Sequence, residues 1–224
     1  MPPHDLVDWP AIETLLSRLP VRVIVAWAVR SARRAAPAIL VRSDTHGPVA
    51  ESREWLHAVA ASLGMIEAYA RGEAVSPFTR LLAAEFPRIA GNALAQWNRE
   101  HGPSGETERI ESALAVVAFT ADATRAATPE RAVAFAVRAA QMAAEVEPGI
   151  AALAQFEAKI LDGQSWEDDA CCDPGESGIL GELWPLGEPV GWTACWQLLA
   201  ADPPLSRWGF RPVEHPESDL RGGI

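Results

Sequence analysis

Apolar residues recur at the three- and four-residue spacing of α-helices from residue 8 to residue 162 of this 224-residue chain. Prolines and glycines interrupt the pattern and mark expected helix ends, because proline fits the first turn of a helix and glycine readily follows its last turn. The spacing predicts an all-α fold, an antiparallel bundle of six or seven helices. The expected helices cover residues 9–19, 21–40, 51–71, 77–97, 106–127, 129–147 and 150–161.

Two prolines lie beyond the first turn of these expected helices. Proline lacks an amide hydrogen and its ring clashes with the preceding turn, so Pro37 should end or kink the second helix near Ala36, and Pro87 should break or kink the fourth. The inward-facing positions follow from the same spacing. They are Val25, Ala28, Val29 and Ala32 in the second helix and Trp55, Val59, Leu63, Ile66 and Ala70 in the third.

One string of residues occurs twice in similar form. Residues 26–32 read AWAVRSA and residues 134–140 read AFAVRAA, with five of seven positions identical. A duplicated helical hairpin would produce this echo. The general abundance of alanine, which favours helix and lets helices pack closely, would produce it as well.

The character of the chain changes after Gly163. Glycine, proline and tryptophan replace the helical spacing, which predicts a helical bundle over residues 1–162 and an irregular tail over residues 163–224. We expect Leu183, Trp184 and Pro185 to anchor this tail on the bundle, because large apolar side chains must be buried to offset the cost of ordering an irregular segment. A partner interface is the alternative role for the tryptophans, and Trp192 and Trp208 are its candidates.

Charge narrows the classes of partner. The formal net charge is −11, which weighs against nucleic acid and favours a basic protein partner. Four arginines stand apart from this acidic balance, and their helical spacing indicates a solvated helix face, with a docking patch for an acidic partner or phosphate as the alternative. They are Arg30, Arg33, Arg34 and Arg42.

An acidic segment follows the last expected helix. It contains Trp166, Asp168, Asp169 and Asp173, and its spacing does not match the alternating ligands of a calcium loop. A solvated loop is the favoured interpretation, and a divalent-cation or basic-partner site is the alternative. The candidate partner-binding residues are therefore Trp166, Asp168, Asp169, Trp192 and Trp208.

Signatures of catalysis are missing from the sequence. The five histidines are scattered, the three cysteines have no metal-ligand spacing, and no nucleophile elbow, phosphate-binding loop or dinucleotide fingerprint occurs. We therefore predict no catalytic residue, no metal and no cofactor. The odd number of cysteines, the acidic N-terminal residues and the lack of a long apolar run favour a cytoplasmic protein with neither signal peptide nor membrane span.

Two phrases carry a resemblance to a known family. Residues 26–37, AWAVRSARRAAP, followed by residues 66–73, IEAYARGE, resemble the start of small helical bacterial proteins described as immunity proteins. Ser31 stands where that family commonly has cysteine, and Tyr69 where it has tryptophan. The LWPLGEP tail at residues 183–189 is similar to endings of bacterial proteins associated with defence or conflict genes. The resemblance covers about residues 20–192 and carries no active-site residue.

These observations favour a non-enzymatic protein that binds and holds a partner protein, as immunity and conflict-system proteins do. A regulatory or adaptor subunit of a bacterial defence system is one alternative. A small enzyme with an unrecognised site among Cys171, Cys172, His57 and the acidic segment is another. The sequence leaves the oligomeric state open.

Overall fold

A computed structural model describes residues 7–40, 53–175, 178–185, 187–189 and 192–193, with the backbone alone for residues 40, 53–56 and 58. The described chain is all-helical, with seven helices, a four-residue helical turn and no strand, which confirms the predicted helical bundle. The helices are α1 Trp9–Leu16, α2 Val21–Ala35, α3 Pro37–Leu40, α4 Arg53–Ala70, α5 Pro77–His101, α6 Gly105–Ala123, α7 Pro129–Val146 and α8 Gly149–Asp162.

Polar side chains begin four of these helices. Asp8, Ser76, Ser104 and Thr128 each accept a hydrogen bond from a backbone amide in the first turn of α1, α5, α6 and α7 respectively. The first amides of a helix have no partner within it, so these caps fix where the helices start. These caps explain why apolar stretches that are only a few residues apart form separate helices.

The two internal prolines behave differently. Pro37 follows the end of α2 at Ala35 and starts α3, as the sequence predicts. Pro87, in contrast, lies buried within α5, which continues from Pro77 to His101 without a break. The expected break at Pro87 is therefore wrong, since the helix continues despite the missing amide, and the alternative of a kink there stays a prediction.

Helix α2 lies at the centre of the bundle. It packs against α4, α6, α7 and α8, while successive helices from α4 to α8 pack against one another in chain order. Every residue from Val23 to Ala32 is buried, so α2 has no solvent face over this stretch. The expected inward stripe of α4 is also buried at Val59, Leu63, Ile66 and Ala70, and the Trp55 side chain lies outside the described residues.

The described part of the tail is irregular apart from residues 192–193, which have helical backbone. It starts beside the bundle, where the Cys172 amide donates to the Ala70 carbonyl at the end of α4, 3.1 Å away. Among the described residues, no helix has both the length and the apolar character needed to cross a membrane.

Candidate binding groove

Two arginines of α2 are buried in the centre of the molecule. Arg30 and Arg34 lie one helical turn apart, and their side chains are 0% and 2% exposed. The interpretation of these arginines as a solvated face is therefore wrong for both. Arg33, between them, is 17% exposed and contacts Glu67 of α4 at 2.7 Å. Arg42 lies outside the described residues.

A single carboxylate on α8 binds both buried arginines. Glu157 accepts from Arg30 Nε at 2.6 Å through Oε1, and from Arg34 Nη1 at 3.0 Å through Oε2. One turn earlier on each helix, the Trp27 indole donates to the Ala154 carbonyl at 2.8 Å. We call Arg30, Arg34 and Glu157 the arginine clamp. It holds two positive charges against one negative charge, away from water.

Backbone carbonyls of the tail satisfy the remaining donors of the clamp. Arg34 Nε donates to the Leu183 carbonyl at 3.0 Å. Arg30 donates from both terminal nitrogens to five further carbonyls, which belong to Pro174 at 3.1 Å, Gly175 at 3.4 Å, Leu180 at 3.4 Å, Gly181 at 3.0 Å and Glu182 at 2.6 Å. A guanidinium keeps its charge and has five N–H donors, so burying it requires this many acceptors.

Glycine allows the tail to turn tightly enough to surround Arg30. At Gly178 an added Cβ would lie 2.2 Å from the Asp173 carbonyl oxygen, so only glycine fits this close approach. Burial lowers the pKa of Arg30, while the neighbouring Glu157 carboxylate opposes that shift. The tail carbonyls add partial negative charge around the guanidinium. The clamp therefore fixes the path of the tail as far as Leu183.

The fixed tail forms one wall of a groove. Leu183, Trp184 and Pro185, which we call the wall segment, face the turn between α7 and α8 and the helical turn α3. Between the described residues the groove encloses about 910 Å³. Its apolar lining consists of Pro37, Ala38, Val146, Gly149, Ile150, Ala152, Leu153, Leu183, Trp184, Pro185, Gly187 and Pro189.

Charged residues and one exposed aromatic border this apolar surface. Glu106, Arg109 and Glu147 line the groove, and Arg109 lies 3.8 Å from the Glu147 carboxylate. Phe156 of α8 is 62% exposed and lies three residues beyond Leu153, so it extends the same helix face away from the groove. The result is a mostly apolar concave surface with a mixed-charge border.

Turns and ring contacts hold the outer part of the wall. The Gly187 amide donates to the Trp184 carbonyl at 2.9 Å, with Gly187 at a φ of +97°. The Trp184 ring meets the Trp192 ring edge-on, with centroids 5.8 Å apart. The Thr193 hydroxyl and amide both donate to the Glu188 carboxylate. Groups three and eight residues further along the tail thus position Trp184.

The structure divides the residues predicted to bind a partner. Trp192 is 4% exposed and packs on Trp184, so its side chain contacts the protein itself. Trp166 is half-buried and donates to the Leu161 carbonyl at 2.9 Å, while Asp168 and Asp169 are exposed. None of these four lines the groove, and Trp208 lies outside the described residues.

The predicted anchor residues all belong to the wall segment. Leu183 is 2% exposed, Trp184 is half-buried and Pro185 is exposed. The structure adds a backbone anchor beside these side chains, because Arg34 donates a hydrogen bond to the Leu183 carbonyl. A backbone contact of this kind has no signature in the side-chain sequence.

Reactive groups are sparse in the described residues. Burial raises the pKa of the Cys172 thiol to about 11, so it is protonated at neutral pH and is a poor nucleophile. Cys171 is exposed, and neither cysteine is in a disulfide. The described residues contain no group of three or more histidine, cysteine, aspartate or glutamate side chains that could hold a metal ion.

Sequence reasoning missed the clamp, although one signal pointed to it. The buried stripe of α8 contains Ile150, Ala154, Ala158 and Leu161, and Glu157 falls on the same face. An acidic residue on an apolar face requires a buried cation. The i, i+4 pair Arg30 and Arg34, set in an otherwise apolar helix, could have been matched to it.

Comparison with known proteins gives no match. No family model matches the chain, and no curated protein or solved structure is significantly similar to it. The resemblance to immunity proteins therefore stays a prediction.

Proposed function

We propose that this chain is a non-enzymatic binding protein that holds an apolar segment of a partner protein in the groove, in the manner of immunity or conflict-system proteins. The groove supports this proposal most strongly. It is concave and mostly apolar, and Phe156 continues it onto an exposed helix face. Exposed apolar surface next to a polar border is typical of protein interaction sites.

The wall segment suits a holding role because its position is fixed before any partner arrives. The clamp immobilises Leu183 through its carbonyl, so binding would not require ordering of this wall. Preorganised surfaces lose less conformational entropy on association and so bind more tightly for a given area.

A basic partner fits the charge of the chain. The net charge is −11, and Glu106 and Glu147 lie on the border of the groove. Such a partner would be steered electrostatically, so its association rate should fall steeply between low salt and about 0.15 M salt, where the Debye length is about 8 Å. An association rate insensitive to salt would remove steering from the proposal. We place this activity in the cytoplasm, which suits the unpaired Cys171 and Cys172.

The same surface would serve an adaptor subunit of a defence system, because docking on a larger effector uses the same kind of groove. An enzymatic role has less support. Of the residues named for it, Cys172 is buried with a raised pKa, and Cys171 lies outside the groove lining.

A site-specific photo-crosslink tests the groove. Ala152 is exposed and lines the groove, so we replace it with benzoylphenylalanine and irradiate the protein in a lysate of the source organism. The expected result is one adduct of defined mass. The matched control is Ala134, an exposed alanine of α7 that lies outside the groove lining and twelve residues before the end of that helix.

A second substitution separates specific from non-specific capture. Leu153→Asp places a charge in the groove lining and should abolish the adduct formed at Ala152. Circular dichroism checks that this variant is folded. Equal labelling from Ala152 and Ala134, or an adduct that survives Leu153→Asp, would show that the groove is not the binding site.

A further inference from the structure

Two arginines from different helices meet at the same aromatic ring, away from the groove. Tyr69 of α4 has the guanidinium carbon of Arg22 at 5.4 Å from its ring centroid and that of Arg80 at 5.3 Å. Arg22 comes from α2 and Arg80 from α5. Both distances are within the range of cation–π attraction, so each arginine contacts the ring.

Neither arginine has a carboxylate partner in the described part of the chain. Arg22 Nη1 donates to Cys171 Sγ at 3.2 Å, and Arg80 Nη1 donates to the Thr124 carbonyl at 2.5 Å. Arg80 Nε is buried and makes no hydrogen bond to any described residue. Glu73, four residues after Tyr69, pairs with Arg71 at 2.9 Å instead.

This pairing pattern is unusual within the molecule. The other described arginines that are partly or fully buried have a carboxylate within 4 Å, namely Arg30, Arg33, Arg34 and Arg88. In a chain with a net charge of −11, two half-buried arginines at one ring form a local positive site. Each of them retains N–H groups that donate to no described residue.

The backbone at Gly72 leaves room for the guanidinium group of Arg22. Gly72 has a φ of +88°, and an added Cβ there would lie 2.5 Å from Cys171 Sγ and 3.0 Å from Arg22 Nη1. Any side chain at position 72 would therefore displace both groups. The glycine keeps Arg22 and the exposed Cys171 together beside the ring.

We propose that Arg22, Tyr69 and Arg80 form a binding site for an oxyanion, either a phosphate group or a carboxylate. Guanidinium groups match the geometry of these anions and bind them through paired N–H donors. Each guanidinium group already contacts the aromatic ring in the structure without the anion. None of the three residues lines the groove, so the site is independent of the proposed partner binding.

Tyr69 is the single tyrosine of the chain and so reports directly on this site. Protein labelled with ¹³C at tyrosine gives one set of ring resonances, which we follow during titration with inorganic phosphate. Sodium chloride of equal ionic strength is the reference. The expected result is a saturable shift with phosphate and no saturable shift with chloride. A parallel titration with a glutamyl-glutamate dipeptide distinguishes a carboxylate ligand from a phosphate ligand.

Substitutions decide whether the arginines are responsible. The double variant Arg22→Gln/Arg80→Gln should weaken phosphate binding by about tenfold or more, since it removes both charge-assisted donors. The matched control Arg131→Gln/Arg138→Gln makes the same charge change at two exposed arginines of α7 and should leave the binding unchanged. If the double variant does not fold, Arg22→Gln alone replaces it. Absence of a saturable shift in the parent protein, or an equal shift in the arginine variant, would overturn the proposal.

Discussion

Helices α2 and α7 carry nearly the same seven-residue string and place its arginine in opposite environments. Arg30 of α2 is 0% exposed and bound on every N–H, whereas Arg138 of α7 is exposed. The apolar positions of the two strings agree much better. Ala28 and Ala136 are both buried, as are Val29 and Val137.

What packs over each helix accounts for this difference. Helix α8 brings Glu157, and the tail brings six carbonyls, to the side of α2 that carries Arg30 and Arg34. The equivalent positions of α7 are Arg138, which is exposed, and Met142, which is half-buried. The same residue is therefore a buried structural cation in one helix and an ordinary surface charge in the other.

The sharpest test of this comparison substitutes the same residue at both positions. Arg30→Met should lower the free energy of unfolding by about 3–5 kcal/mol, because it breaks a buried ion pair and leaves tail carbonyls without donors. Arg138→Met should change it by about 0.5 kcal/mol or less, as an exposed site does. Urea unfolding of both variants measures the two effects. Similar losses would show that the buried contacts of Arg30 do not stabilise the fold.

Arg34 provides a second, smaller test. Arg34→Met should cost about 2–3 kcal/mol, typical of lost hydrogen bonds to charged groups, since Glu157 keeps its bond to Arg30. Because Arg34 holds the Leu183 carbonyl, this variant should also weaken the crosslink from Ala152 more than its loss of stability explains. An unchanged crosslink in a folded Arg34→Met protein would separate the clamp from the groove.

The spacing of apolar residues is enough to predict the helices but not their depth in the bundle. Stripe positions such as Leu63 and Ile66 are buried as expected, since one helix face must always point inward. The complete burial of α2 from Val23 to Ala32 depends on how many neighbours surround it. That number is a property of the tertiary packing, which local spacing does not contain.

The candidate groove could be predicted only in part. The apolar side chains of Leu183 and Trp184 indicate a segment that packs against something. The rest of the wall depends on backbone carbonyls accepting from Arg30 and Arg34, about 150 residues away in the chain. Carbonyls are present at every position, so the sequence does not show which of them an arginine will find.

A reciprocal substitution tests the repeated string at the one position where α2 has a small polar residue and α7 has alanine. Ser31 of α2 is fully buried and its hydroxyl has no hydrogen-bond partner in the described structure, while the equivalent Ala139 of α7 is also fully buried. Ser31→Ala should therefore stabilise the protein by about 1 kcal/mol, and Ala139→Ser should destabilise it by a similar amount. Thermal and urea unfolding measure both. A loss of stability in Ser31→Ala would reveal a hydrogen bond for that hydroxyl.

The smallest expected effect is the pH dependence of stability at Glu67 of α4, which pairs with Arg33 of α2. This carboxylate lies 2.7 Å from Arg33 and 3.6 Å from Arg71, yet burial raises its pKa more than the two arginines lower it. The folded state therefore binds this proton more tightly than the unfolded state. Its contribution to stability is complete below the unfolded pKa, about 4.3, and is lost as pH rises through the raised folded pKa.

Glu130 at the start of α7 provides a control of opposite sign. A hydrogen bond with Thr128 and a backbone bond lower its pKa, so its contribution is present above the unfolded pKa and is lost as pH falls. The stability difference between the parent protein and Glu67→Gln should thus decrease with rising pH above about 4.3, the usual pKa of an unfolded glutamate. The stability difference between the parent protein and Glu130→Gln should increase as pH rises toward about 4.3, and most of this increase should occur below that pH. If the Glu67 difference instead grows with pH, Arg33 and Arg71 lower the pKa of Glu67 more than burial raises it, and the two arginines stabilise this carboxylate more strongly than its desolvation destabilises it.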